Sequence, residues 1–276
     1  MTGNDDQIAY WNGPTGEKWA KYQSEMDRNL ADATAGLLKL AAPQPGERVL
    51  DVGCGAGETS WRIAEMVGPG GAVLGVDISQ PLLAQARGRA HAKNVRFEEA
   101  DASVYPFKPD YDLIFSRFGV MFFDDPAAAF ANIRKAAARE ARLAFVCWRP
   151  VQENEWTMLP MAAAKPLLPE QPPADPNAPG PFAFADPQRV KTILTQAGFG
   201  DIRIEKLDGV MDLGPSAEHA GFQMTNLGPV SRALRDESEE TRARVLTAVM
   251  AAFAQFQKPG RTIAPGIACW LVSARA

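Results

Sequence analysis

The chain is predicted to fold as an α/β domain around a mostly parallel sheet. Three observations carry that reading. Short β-rich runs alternate with helical stretches between about residues 46 and 148, as in βαβ units. Each run is dense in Val, Ile, Leu or Phe, which suits strands buried on both faces. A glycine-rich turn follows the first run and opens a helix, so the loops at the strands' carboxyl ends gather on one ligand-binding rim.

The strands expected in order are Arg48–Val52, Ala72–Asp77, Val95–Ala100, Tyr111–Ser116 and Arg142–Trp148. Between them lie helices over Glu58–Val67, Gln80–Ala92 and Pro126–Ala138, the last with a capping aspartate ahead of a first-turn proline. Right-handed crossovers would place these helices on the two faces of a doubly wound sheet. Ahead of this core, residues 1–45 carry Tyr10-Trp11-Asn12-Gly13-Pro14 and a helical stretch in which Trp19, Tyr22, Met26 and Leu30 share one apolar face, up to the break at Pro43-Gln44-Pro45-Gly46. After the core, residues 149–185 are proline-dense and read as an insertion running over the surface. A helix from Asp186-Pro187 to Gln196, a strand over Asp201–Leu207, a helical stretch from about Glu237 to Phe256 and a last strand over Ala268–Ser273 complete the chain. We therefore expect an N-terminal helical lid over 1–45 and a domain over 46–276 with insertions at about 149–185 and 209–265.

With 276 residues, 46% of them hydrophobic, the chain can bury a full core. Its formal charge of −4 offers no attraction to phosphate backbones or anionic lipid, so nucleic acid is not expected as a partner. Cys54, Cys147 and Cys269 lie far apart and the histidines are His91 and His219, which rules against a zinc cluster and a disulfide framework; no metal is expected. The acidic opening Asn4-Asp5-Asp6, without a secretory signal pattern or a run of about 18 apolar residues, predicts a cytoplasmic protein.

Gly53, Gly55 and Gly57 sit between strand and helix, where missing side chains allow unusual backbone angles and close approach of a ligand. The GxGxG spacing departs from the GxGxxG of dinucleotide sites. Asp77 ends the next strand, 20 positions beyond Gly57, where a carboxylate faces ribose hydroxyls; Asp101 and Ala102 end the third, within reach of an adenine edge. Together they describe an adenosine-shaped site.

At these residues the chain resembles the class I S-adenosylmethionine-dependent methyltransferases, particularly the bacterial small-molecule group. The likeness rests on Leu50-Asp51-Val52-Gly53-Cys54-Gly55-Ala56-Gly57, Gly75-Val76-Asp77-Ile78-Ser79, Ala100-Asp101-Ala102 and Tyr111-Asp112-Leu113-Ile114-Phe115-Ser116-Arg117, four elements in order within residues 10–148. The resemblance implies a Rossmann-like sheet of seven strands, with Ala268–Ser273 as the last strand, antiparallel to the rest. It also implies roles: Asp51, Gly53 and Gly55 by the methionine portion, with Cys54 and Gly57 in the same loop; Asp77 on the ribose; Ile78 against the adenine face; Asp101 and Ala102 at its edge; and the carbonyl of Ser116 near the amino group, with Arg117 just beyond. After the fourth strand the chain reads Ser116-Arg117-Phe118-Gly119 rather than the [D/N]PP[Y/F/W] of enzymes that methylate base amines or glutamine, which argues against those acceptors.

Such an enzyme chiefly has to hold its acceptor in line with an already activated methyl group and exclude water. By position, the residues expected around the acceptor or in a lid are Tyr10, Trp11, Trp19 and Tyr22, then Phe118, Met121 and Phe122, then Trp148, Arg149, Asn154 and Trp156. Aromatic rings suit a sulfonium, whose charge is drawn to a π face. No catalytic base is assigned. His219 is read as a surface or capping residue, His91 as a cation at a helix C-terminus, and Cys54 as a packing residue. Two other functions fit parts of the pattern: a nicotinamide-dependent oxidoreductase, because Asp77 would serve an NAD ribose equally, and a non-catalytic S-adenosylmethionine-binding protein.

Overall fold

The computed structural model describes residues 4–89, 92–170 and 175–276. His91, Pro172 and Pro173 lie outside the described residues. Seven strands form one sheet: β1 (Arg48–Val52), β2 (Ala72–Asp77), β3 (Val95–Glu99), β4 (Tyr111–Arg117), β5 (Ala137–Trp148), β6 (Gly200–Val210) and β7 (Gly266–Arg275), in the order β3-β2-β1-β4-β5-β7-β6. Strands β1 to β5 pair in parallel, and β7 runs antiparallel to both neighbours, so it is the one reversed strand. The fold class is the one expected, with the topological switch between β1 and β4.

The order follows burial. Val49, Leu50, Leu113, Ile114 and Phe115 are at most 1% exposed, because helices cover both faces of the central strands. Helices α5 (Glu58–Val67), α6 (Gln80–Gly88), α7 (Pro126–Arg134) and α9 (Pro187–Gln196) accompany the sheet, and α4 (Ala31–Ala41) packs on it with Ala33 and Leu37 fully buried. At the far edge, β6 alternates half-buried Ile202 and Ile204 with exposed charged residues, which discourages edge pairing with another chain.

Two expectations need correction, and a third is made specific. The helix read to Ala138 stops at Arg134, and β5 starts at Ala137: the amides of Asp110 and Tyr111 both donate to the Ala136 carbonyl, and sheet pairing overrides the helical preference of the alanines. The N-terminal stretch, which the spacing leaves open as a helix or helices, is several. The segment breaks into α1 (Asp5–Asn12), α2 (Pro14–Lys21) and α3 (Gln23–Asn29), with Tyr22 and Leu30 as caps between helices. The stretch 149–185 is not purely superficial, since α8 (Glu155–Ala164) buries Trp156, Thr157, Pro160 and Ala164 along one face. It packs with α10 (Ala217–Asn226), α11 (Pro229–Ala233) and α12 (Glu239–Phe253) into a helical cap beside the rim. Among the described residues no helix is long and apolar enough to cross a membrane.

Candidate active site

At the carboxyl end of β1 the chain turns through Gly53, Gly55 and Gly57 with φ of +67°, +54° and +80°, angles that only glycine adopts without strain. Space is equally short at the first of them, where a Cβ would lie 2.7 Å from the Gly119 Cα. The turn is tied to β2: the amides of Gly53 and Cys54 donate to the Val76 carbonyl at 2.8 and 3.1 Å. One residue past that carbonyl, both oxygens of the Asp77 carboxylate are held, Oδ2 by the Gly55 amide and Oδ1 by the Ser79 amide, each at 2.8 Å. Burial pushes the Asp77 carboxyl above its ordinary range, and the Ser79 and Gly55 amides oppose the shift.

Asp51 lies behind the loop, fully buried, and accepts at Oδ2 from the hydroxyls of Thr59 (2.7 Å) and Ser60 (2.6 Å). Its Oδ1 has no partner among the described residues. Burial raises its carboxyl to about 6, against the pull of the two hydroxyls.

A cleft opens over this rim. One end is lined by Gly53 to Ala56, Asp77, Ile78, Asp101 and Ala102. The other is walled by Phe118, Met121, Phe122, Trp148 and Trp156, and Met26 and Leu30 face it from the N-terminal helices. Here Phe118 takes a left-handed φ of +62° and stacks on Trp148 at 4.2 Å and 14°, and Trp148 packs on Trp156 at 4.8 Å. A strained backbone at a cleft wall marks a position the surroundings hold deliberately. Trp11 meets Trp19 and Phe122 edge-on at 5.6 and 5.5 Å, so the N-terminal aromatics join those after β4.

Several expected site residues stand outside the lining. Gly57 caps α5 and packs against Phe97 and Ala86. The Ser116 hydroxyl donates back to the Val52 carbonyl at 2.7 Å. Tyr10 lies against the guanidinium groups of Arg232 and Arg235, and Tyr22 meets Phe222 edge-on. Arg149 pairs with Glu153 and Asp208 away from the cleft, and the buried Asn154 joins turn to sheet, accepting from Trp156 Nε1 (3.1 Å) and the Ala268 amide (2.9 Å). His219 is not a cap: it lies in the first turn of α10, where its amide donates to Oγ of the capping Ser216.

Three features escaped the sequence. Arg117 lines the cleft but is held from behind: its guanidinium donates to Glu58 (2.7 Å) and Thr34 (2.8 Å), with Asp27 of α3 at 3.8 Å, so one cation joins β4, α5 and the N-terminal helices. Asn12 latches α1 to the rim, donating to the Ile78 carbonyl at 2.8 Å and accepting from the Gln80 amide at 2.9 Å, while Ser79 Oγ donates to the Trp11 carbonyl. Met211 just past β6, with Met224, Leu227 and Pro229 from the helical cap, closes the apolar end. None of these has a sequence-local pattern, apart from the polar Asn12 inside an aromatic cluster.

Comparison with known proteins accords with this geometry. Residues 49–140 match the model of a family described as "Methyltransferase domain". The chain is 30% identical over 196 residues to nocamycin O-methyltransferase of Saccharothrix syringae, covering 66% of this chain and 69% of that protein. It is 29% identical over 194 residues to demethylmenaquinone methyltransferase of Thermus thermophilus, covering 66% of this chain and 85% of that one. In fold it is similar to Haemonchus contortus phosphoethanolamine N-methyltransferase 2 in complex with S-adenosyl-L-methionine, with a TM-score of 0.60 at 18% identity over 100% of this chain and 60% of that one. The named relatives favour methyl transfer over the nicotinamide alternative.

Proposed function

The chain belongs to the class I S-adenosylmethionine-dependent methyltransferases and methylates a small molecule; on that premise we propose that the rim cleft binds the cofactor at its glycine end and the acceptor at its aromatic end. The observation that carries this is the contact between Gly53 and the Phe118–Gly119 turn, which brings the cofactor loop and the aromatic wall together in one cleft.

The residues fit the cofactor. A Cβ at Gly55 would meet nothing within 4 Å, so open space lies over the loop. Asp77 spends one lone pair per oxygen on backbone amides and keeps others for ribose hydroxyls. Asp101 accepts from the Ser103 amide at Oδ1 (2.9 Å), which leaves Oδ2 for an adenine amine beside Ala102, with Ile78 along the ring. The partnerless Oδ1 of Asp51 supports placing the cofactor's ammonium group near the loop, together with the Ser116 carbonyl. When bound, the cofactor supplies a methyl group already activated on a sulfonium.

The chain's own part is to bind, orient and exclude water. In this reading the lid is α1 to α3, latched by Asn12 and held through Asp27 and Arg117, whereas α4 belongs to the core domain. Segments 149–185 and 209–265 build the acceptor side. A cytoplasmic location fits the buried, unpaired Cys54, Cys147 and Cys269, and a net charge of −4 fits a substrate other than nucleic acid.

Calorimetry tests the cofactor: S-adenosylmethionine should bind and NADH should not, and the reverse would sink the reading. Incubation with methyl-labelled cofactor and a metabolite extract should yield a labelled small molecule by mass analysis. Cofactor binding without any labelled product would turn the chain into a non-catalytic binder.

A further inference from the structure

We propose that the acceptor is a planar conjugated oxygen acid that enters the cleft already ionised, and that it is methylated on that oxygen without a base from the protein. This deepens the reading above and rests on it.

The ionisable groups are all committed. Among the described residues lining the cleft they are Asp77, Asp101, Arg117 and Cys54. Both aspartates stand at the glycine end, where backbone amides take part of their accepting capacity and the reading above gives the rest to the ribose and adenine. The Cys54 thiol is buried and its ionisation pushed far up, so it stays neutral. Arg117 is a cation paired with Glu58 and flanked by Asp27. His219 packs its ring against Gly214, and Tyr10 lies against two arginines, both outside the lining. A neutral hydroxyl or an ammonium at the aromatic end therefore meets no group able to take its proton, so an acceptor methylated there must shed that proton before it binds.

An anion in such surroundings needs a nearby cation, because charge in a low-dielectric wall is costly unless paired. Glu58 is shared with Arg62 and Asp27 with Arg89, so Arg117 in the cleft lining keeps part of its charge, and the sulfonium of a bound cofactor would add a second cation facing the anion. Transfer forms one O–C bond and breaks one S–C bond; the pair of the broken bond stays on sulfur, and no proton moves. A negative and a positive charge are consumed together, so an apolar wall disfavours the separated ions more than the transition state.

Shape points the same way. Phe118 is held at φ +62° with its ring parallel to Trp148, and the next residue, Gly119, is pressed against Gly53, where a Cβ on Gly119 would lie 2.8 Å from the Gly53 Cα. The flat ring wall thus begins beside the cofactor loop. Offset stacking on such a wall favours a planar ligand.

Binding can be read without turnover, from tryptophan fluorescence of the whole chain. The probe is 2-hydroxy-1,4-naphthoquinone, a planar acid ionised at neutral pH. It should bind at least about tenfold tighter in the presence of sinefungin, whose amine places a cation where the sulfonium stands, than with neutral S-adenosylhomocysteine. With labelled S-adenosylmethionine, its methylation rate should be flat from about pH 6 to 9, whereas 2-naphthol should rise about tenfold per pH unit as it ionises. Phe118→Leu should weaken probe binding about tenfold with sinefungin affinity unchanged, and Phe118→Tyr should restore it. Preference for 2-naphthylamine or for the non-planar cyclohexanecarboxylate would overturn the proposal. So would a shared pH step for all acceptors, unaltered binding in Phe118→Leu, or no probe binding to a protein that does bind sinefungin. Failure to bind sinefungin or S-adenosylmethionine would instead remove the cofactor placement beneath it.

Discussion

The two ends of the cleft are built from different materials. The glycine end is made of backbone: three left-handed glycines, amides from the loop and from Ser79 just past β2 that hold one carboxylate, and strands paired in register from Arg48↔Ala72 to Val52↔Val76. The aromatic end is made of side chains brought together from α3, the turn after β4, the end of β5, α8 and the α10–α11 turn. Backbone geometry has few solutions, so the first end tolerates little change. A wall of packed rings has many, so the second can be repacked while the first stays intact.

The sharpest way to break that contrast is Gly53→Ala. Left-handed strain and the contact with Gly119 should together cost about 3 kcal/mol or more in urea unfolding, with cofactor affinity down at least about a hundredfold. A variant as stable and as tightly binding as the parent would refute the view of the loop as a backbone device.

Asp51 should show its burial through pH. Its folded carboxyl titrates at about 6, above the ordinary value of 3.8, so the native state holds a proton that the unfolded chain releases between those two values. This group's contribution therefore declines as pH rises from about 4 to 6 and is constant above, a change of about 3 kcal/mol. Relative to the parent, Asp51→Asn should gain that much stability over the same window in melts run at a series of pH values. A difference that does not vary with pH would remove the assigned cause.

Smaller effects come next. Asp77→Ala removes the acceptor for two amides and the group assigned to the ribose, and should weaken S-adenosylmethionine binding by about ten- to a hundredfold, or about 1.4–2.7 kcal/mol, in calorimetry. The latch is weaker still. Asn12→Ala gives up two hydrogen bonds between α1 and the rim and should speed cofactor release about fivefold in stopped-flow measurements, at about 0.5–1.5 kcal/mol in total. Equal release rates in the two proteins would show that α1 does not restrain the cofactor. Least of all, Tyr10→Leu, which loses exposed cation–π contacts to Arg232 and Arg235, should change acceptor affinity about twofold.

The same division governs what could be read from the chain before folding. Strands β1 to β4 were legible because each is a short apolar run that the sheet buries on both faces, and the glycine loop because its residue types answer to backbone angles set within a few positions. The start of β5 was not legible, since Ala137 and Ala138 prefer helix and are held in the sheet only by pairing with the Tyr111 region. The Trp19-to-Leu30 spacing marked an apolar face without fixing how many helices carry it, and Tyr22 and Leu30 turn the chain so that α3 faces the cleft and α4 the sheet. Proline density hid α8, whose buried face needs α12 as a partner.

By itself, then, the sequence determined the α/β class, the places of its first four core strands and the glycine–Asp77–Asp101 rim, all consequences of local patterning and backbone chemistry. Only the tertiary structure decided that Arg117 is tied back by Glu58 and Asp27, that Asn12 latches α1 to Ile78, and that Phe118, Trp148 and Trp156 stack into one wall. Those arrangements join side chains from distant segments, and the position of each depends on the packing of all the others.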